Sequence, residues 1–250
     1  MIMNTKNKIN WEPENFELET NTVWSFPNRG KWATHNAKWR GNWSPYIPRN
    51  IIIRYSAEGD TVLDQFLGGG TTAVEAKLTR RNFIGVDINP IAIERSMEKC
   101  NFQYDSPSEI KFLLGDARKL DIPDETVDLI CTHPPYANII QYSENIKHDL
   151  SRLEMKDFLS EMYNVAKESF RVLKKGKFCA ILMGDIRKKG MVQPLAFETM
   201  RIFELAGFKT KEIIIKEQHN CKATGFWKTN SIKHNFLLLA HEYLFVFKKN

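Results

Sequence analysis

Three aspartates each close an apolar, strand-like run: Asp64 after Thr61-Val62-Leu63, Asp87 after Phe83-Ile84-Gly85-Val86, and Asp116 just past Ile110 to Leu114. In a parallel sheet such positions share one edge, the edge where ligands settle. There, an acid at the end of the second strand can bond both ribose hydroxyls of an adenosyl ligand. An acid after the third can accept a hydrogen bond from an adenine amino group. Taken singly, each aspartate is as well read as a turn or helix cap; the register of all three argues for a ligand. Gly68-Gly69-Gly70 follows the first run and lets backbone approach a ligand closely, although a plain tight turn has the same composition. No Gly-Lys-Thr/Ser sequence follows these glycines, and the acids would repel a pyrophosphate, which disfavours a phosphate-rich ligand. A fourth run, Val127 to Thr132, leads into His133-Pro134-Pro135-Tyr136. Paired prolines stiffen that loop, and a neutral imidazole can accept a hydrogen bond.

The elements that must position these residues alternate between strand and helix from Thr61 onward, the pattern of a parallel α/β sheet. Thr61 to Phe66 reads as a strand and Thr71 to Thr79 as a helix. Asn82 to Ile88 is a second strand, with Asn89 as N-cap and Pro90 at the first position of the next helix. Apolar residues at helical spacing from Met155 to Leu173 predict a long helix with Gly176 just past its end. Lys177 to Met183 predicts a strand, and a helix follows from about Pro194 to Ala206, closed by Gly207. Lys211 to Lys216 and Phe236 to Lys248 read as final strands with a basic, aromatic loop between them. The stretch from Trp24 to Tyr46 has no clear period and is expected to drape over the domain.

Asp64-Gln65-Phe66-Leu67-Gly68-Gly69-Gly70-Thr71-Thr72 resembles the first motif, DPFxGxGTT, of the amino-methylating DNA methyltransferases of the cytosine-N4 and adenine-N6 type. Ser44-Pro45-Tyr46-Ile47-Pro48 through Ser56 looks like their motif X, and His133-Pro134-Pro135-Tyr136 resembles their (D/N/S)PP(Y/F/W) motif. The order of motifs resembles the γ arrangement. The resemblance implies a Rossmann-like seven-stranded α/β sheet with helices on both faces, and S-adenosylmethionine as cofactor. Asp64, Phe66, Gly68, Gly70 and Thr71 would surround its methionine part, Asp87 its ribose and Asp116 its adenine, with Thr72, Ile88 and Ala117 completing the set. His133, Pro134, Pro135 and Tyr136 would be catalytic. An exocyclic amino group is a poor nucleophile because its lone pair is conjugated into the ring; accepting its hydrogens with a side chain and a main-chain carbonyl directs that lone pair at the methyl donor. Tyr136 would stack on a base flipped out of the helix. Gln65 and Gly69 replace the usual proline and serine without adding bulk at a glycine. His133 replaces the family's Asp, Asn or Ser, which leaves cytosine and adenine both open as targets.

The net charge of +6 fits a polyanionic partner. Two stretches suit contact with double-stranded DNA: 25–47, where Arg29, Lys31, Lys38 and Arg40, with Arg49 just beyond, interleave with Trp32, Trp39 and Trp43, and 218–234, with His219, Lys222, Phe226, Trp227, Lys228, Lys233 and His234. Tryptophans packed inward with solvated charges would have the same composition. Residues 24–250 are read as a single catalytic domain behind a polar segment, 1–23. Recognition then falls to these short inserts, a second protomer or another subunit, a restriction endonuclease partner among the options. The four cysteines hold no CxxC pair, Cys221 with His219 and His234 matches no ligand spacing, and no metal site is expected. The polar start lacks the apolar core of a signal peptide, and no run is long enough to span a bilayer, which suggests the cytoplasm. An RNA base amino-methyltransferase and a non-catalytic cofactor-binding nucleic-acid module are the alternatives.

Overall fold

The computed structural model describes residues 9–143, 145–220 and 224–250. Its strands are β1 (Val23–Trp24), β2 (Thr61–Asp64), β3 (Asn82–Asp87), β4 (Ile110–Leu114), β5 (Val127–Thr132), β6 (Leu173–Met183), β7 (Ile186–Lys188), β8 (Met191–Gln193), β9 (Lys209–Glu217) and β10 (His241–Lys248). Its helices are α1 (Tyr46–Tyr55), α2 (Thr71–Leu78), α3 (Pro90–Cys100), α4 (Met155–Val172), α5 (Leu195–Leu205) and α6 (Thr224–Lys233). The main sheet runs β1-β9-β10-β6-β5-β2-β3-β4. All its pairings are parallel except those of β10, which is antiparallel to both β6 and β9.

Strand order reverses between β2 and β5, which pair through Val62↔Leu129 and Leu63↔Ile130. The crevice beyond the carboxyl ends of two such strands is the usual ligand position in an open α/β sheet. It receives the glycine loop from β2 and the His-Pro-Pro-Tyr loop from β5.

Successive strand residues point to opposite faces, and both faces are apolar. Leu63, Ile130, Ile181 and Phe245 pack beneath α4 and α5. Val62, Leu129, Leu182 and Leu244 pack beneath α1, α2 and the tryptophans Trp24, Trp32 and Trp43.

Three expectations change, and one element was not expected. The seven expected strands are present, but β1 adds an eighth at the edge of β9. Strand β6 starts at Leu173, directly after α4, and takes Gly176 inside it at φ +78. The stretch 218–234 is not a simple hairpin loop, because Thr224–Lys233 forms α6, and β10 starts only at His241. Cys221 and Lys222 lie outside the described residues. The small β7–β8 hairpin went unread, although Lys189-Gly190, both with positive φ, is the turn composition that joins two such strands.

The N-terminal stretch is held by one buried carboxylate. Glu75 of α2 is fully buried and takes hydrogen bonds from Trp32 Nε1 (2.8 Å) and Arg49 Nη1 (3.0 Å), with His35 Nε2 at 2.6 Å. Trp32 and Trp43 are 4% and 6% exposed. Arg29 donates to the carbonyls of Asn42 and Trp43. Stacking of DNA on Trp32 or Trp43 is therefore excluded: these rings are walls of the domain. Lys31, Lys38 and Arg40 remain exposed.

Candidate active site

At the end of β2 the chain must turn sharply into α2, and Gly70 makes the turn with φ +72; a Cβ there would lie 2.6 Å from Ser96 Oγ. Only glycine meets both conditions. A Cβ on Gly69 would lie 2.6 Å from Trp39 Cβ, so the indole packs directly on the loop backbone.

Asp87 ties this loop to the next turn. Its Oδ2 accepts from Gly68 N (2.8 Å) and its Oδ1 from Asn89 N (2.9 Å), while the Asn89 side chain caps α3 through Ile91 N. Asp64 is buried, accepting from Thr72 Oγ1 (2.6 Å), Thr132 Oγ1 (2.7 Å) and Phe66 N (3.1 Å). Burial pushes both carboxyls up to about 6, against the pull of these hydrogen bonds. Among the described residues, neither is bonded to a cationic side chain. Asp116 differs: its carboxylate takes the Arg118 guanidinium on both oxygens, plus Arg118 N. Burial would raise its pKa, but the Arg118 bonds outweigh this and hold it below the ordinary range.

A cavity above the switch point is lined by Asp64, Phe66, Gly68, Asp87, Ile88, Asp116 and Ala117, all expected from the sequence, and by His133 and Pro135. Gly70, Thr71 and Thr72 are not among its walls. They act behind it: Gly70 as the turn, Thr72 as donor to Asp64, Thr71 as donor to Asn42 Oδ1 at 2.6 Å. Sequence reasoning missed Trp39, Asn42, Trp43 and Tyr142 as walls of this cavity. The tryptophan spacing was visible, but nothing in it told an inner wall from an outer one.

A second, wider cavity adjoins the first and shares His133, Trp43, Asn42, Gly41 and Tyr142 with it. Pro134 and Tyr136 line this side, together with Asp185, Lys216 and Glu242. His133 thus stands at the junction. Its ring stacks on Trp43, with centroids 5.4 Å apart and planes at 21°. Its Nε2 lies 2.9 Å from the Tyr136 hydroxyl, which donates to Glu242 Oε1 at 2.8 Å. Burial, reinforced by the charges of Lys216 and Arg29, pushes His133 down to about 4, although Glu242 opposes this. The imidazole is neutral at physiological pH. Tyr136 packs against Gly184, where a Cβ would come within 2.7 Å of its ring.

A family model described as DNA methylase matches residues 1–98 and 127–250. The chain belongs to this family. The type II methyltransferase M.MjaI of Methanocaldococcus jannaschii is similar to this chain, 29% identical over 167 residues, with 56% of this chain and 55% of that one covered. A tRNA (guanine(10)-N2)-dimethyltransferase of Methanothermobacter thermautotrophicus is 35% identical over 97 residues, covering 38% of this chain and 28% of its own. The chain therefore spans about half or less of the length of these relatives. TrmN from Thermus thermophilus shares the fold with a TM-score of 0.56 at 20% identity, over 84% of this chain and 50% of that one. No helix among the described residues is long and apolar enough to cross a membrane.

Proposed function

We propose that this chain transfers the methyl group of S-adenosylmethionine to an exocyclic amino nitrogen of a base in double-stranded DNA, N4 of cytosine or N6 of adenine. The observation that carries the reading is the pair of cavities meeting at His133, one walled by three strand-end acids and the other by Pro134 and Tyr136. The donor set fits the cofactor. A buried carboxylate, Asp64, and a partly buried one, Asp87, neither bonded to a cationic side chain among the described residues, suit a ligand with a sulfonium and an ammonium group, and Asp87 retains acceptor capacity for ribose hydroxyls. When bound, S-adenosylmethionine supplies an electrophilic methyl group on a cationic sulfur. Asp64, Phe66 and Gly68 would hold its methionine part, Asp87 and Ile88 its ribose, and Asp116 and Ala117 its adenine. Asp116 can receive an adenine amino group only by sharing its oxygens with Arg118.

On the base side, the His133 ring and the Pro134 carbonyl would accept the two amino hydrogens, with Pro135 fixing the loop. The target base must leave its stack to reach them. Tyr136 spends its hydroxyl on His133 and Glu242, so an extracted base would meet a ring of fixed orientation. Methyl transfer from labelled cofactor to duplex DNA, measured beside transfer RNA, tests the assignment. Transfer to RNA alone would favour the RNA reading that the tRNA-modifying relative supports. Transfer to neither would leave a cofactor-binding module.

DNA contact is assigned to α6, whose Lys228 and Lys233 are exposed, as are Phe226 and Trp227. Replacing both lysines with alanine is expected to lower DNA affinity and flatten its salt dependence, by about one unit of slope for each phosphate that is no longer neutralised. An unchanged slope in a filter-binding titration would move the DNA surface to Lys31, Lys38 and Arg40. A restriction endonuclease or a second protomer would complete sequence recognition.

A further inference from the structure

The histidine at the junction of the cavities is one end of a hydrogen-bonded chain that reaches two other strands. Lys216 at the end of β9 donates to Glu242 Oε2 at 2.8 Å. Glu242 at the start of β10 accepts on Oε1 from the Tyr136 hydroxyl, also at 2.8 Å, and the Tyr136 oxygen lies 2.9 Å from His133 Nε2. Register places the acid and the lysine side by side, since Glu242 pairs with Lys216 across the antiparallel β9–β10 ladder. Their side chains are 11% and 15% exposed.

Donor and acceptor counting fixes the direction of every bond in this chain. The Tyr136 proton is committed to a carboxylate, so its oxygen faces His133 as an acceptor. Nε2 must then carry the ring proton, and in a neutral imidazole Nδ1 is left as the acceptor. Burial would raise the pKa of Glu242, but the charge of Lys216 and the bonds from Lys216 and Tyr136 outweigh it and keep the carboxylate ionised.

We propose that Lys216, Glu242 and Tyr136 form a proton wire: they hold His133 in the Nε2–H tautomer and carry the proton that the target nitrogen loses to Glu242. The proposal rests on the amino-methylating reading above. As the new nitrogen–carbon bond forms, the amino group must give up one proton. That proton passes to His133 Nδ1, the Nε2 proton passes to the Tyr136 oxygen, and the Tyr136 proton passes to Glu242 Oε1. The charges balance, because the positive charge that leaves with the methyl group is cancelled at the one carboxylate that gains a proton. A weakly basic imidazole suffices: a protonated, methylated exocyclic amine is strongly acidic, since losing the proton returns its lone pair to the ring. Lys216 and Glu242 are positioning residues for His133, and Glu242 is also the proton sink.

Two variants separate the roles, and neither readout depends on the other. Heteronuclear NMR of ring-labelled histidine, on protein without cofactor or DNA, identifies the tautomer, with His133 assigned by its loss in His133→Asn. The parent should show Nε2–H. Glu242→Gln keeps an acceptor for Tyr136 and so keeps this tautomer, yet it cannot take the proton; its single-turnover methyl transfer should fall by roughly 10²-fold. The double variant Lys216→Met with Glu242→Leu removes the buried pair without stranding a charge, and should show both tautomers. An Nδ1–H parent, or a double variant that still shows Nε2–H alone, overturns the tautomer assignment. A Glu242→Gln variant as fast as the parent overturns the proton sink. A parent with the expected tautomer that methylates no DNA leaves the wire in place and refutes the proposed function instead.

Discussion

The two cavities that meet at His133 are shaped by one force acting on groups of opposite sign. Burial pushes Asp64 and Asp87 up to about 6 on the first side and His133 down to about 4 on the second. Desolvation favours the uncharged form of either type of group. On the cofactor side it leaves two acids short of a cation, which a positively charged ligand would supply. On the base side it leaves a neutral ring with one lone pair. Asp116 and Glu242 escape the rule only because Arg118 and Lys216 stand against them.

The sharpest way to break this comparison is at its boundary. His133→Ala should abolish most single-turnover methyl transfer, whereas His133→Asn or His133→Asp, each bringing an acceptor of the family pattern, should keep more than alanine does. An alanine variant as fast as the parent would make His133 a scaffold residue. Next in size, Asp87→Ala removes the acceptor assigned to the ribose, and cofactor affinity should fall by about 1.5–3 kcal/mol, roughly ten- to a hundred-fold. The loss in thermal stability should be smaller, because removing a desolvated charge offsets the two lost backbone bonds. Unchanged affinity by calorimetry would displace the ribose from this strand end.

Acidification should then separate the two sides. A cation binds the ionised acids, so cofactor affinity should fall as pH drops through about 6, by up to about tenfold per unit for each acid that couples to the ligand. For the free protein the sign is reversed. The raised carboxyls bind protons more tightly folded than unfolded, favouring the folded chain at low pH, and that contribution is lost as pH rises through about 6. His133 is depressed, so its neutral form persists well below the ordinary histidine value of about 6.5. With cofactor saturating, the chemical step should stay level through that value and fall only toward about 4. A midpoint near 6.5 would mean that His133 is solvated. The smallest effect is expected at Asp116→Ala, a few-fold in cofactor affinity at most, because Arg118 already occupies both oxygens. A loss as large as that at Asp87 would mean that Arg118 turns aside when the ligand binds.

The cofactor side was legible because its chemistry is local. A strand, a terminal acid and a glycine turn lie within ten residues of each other, and Asp87 and Asp116 repeat the pattern at the next two strand ends. The base side was half legible. His133 to Tyr136 announce themselves, but Glu242 lies 106 residues beyond Tyr136 and reaches it only because β10 inserts between β6 and β9. No period in the sequence encodes that insertion. Residues 25–47 and 218–234 read alike, both basic and rich in aromatic rings. What sends the first inward is Glu75, a single buried acid in another element with Trp32, His35 and Arg49 gathered on it. Helix α6 was missed because its apolar residues, Phe226, Trp227 and Ile232, are all exposed and leave no amphipathic stripe to read.

The short strand β1 also covers part of one margin of the main sheet. Strand β9 would otherwise be the outermost strand of the sheet, nine residues long, with Ile213 and Ile215 each about 40% exposed. An open strand of that kind is a template for pairing with other chains. Val23 and Trp24 cover it at Ile215 and Lys216, the level of the lysine that holds Glu242. Peeling this one ladder away would therefore uncover a sticky margin at the very place where the histidine's chain of bonds begins, so self-association and loss of methyl transfer should appear together when the segment before α1 is detached.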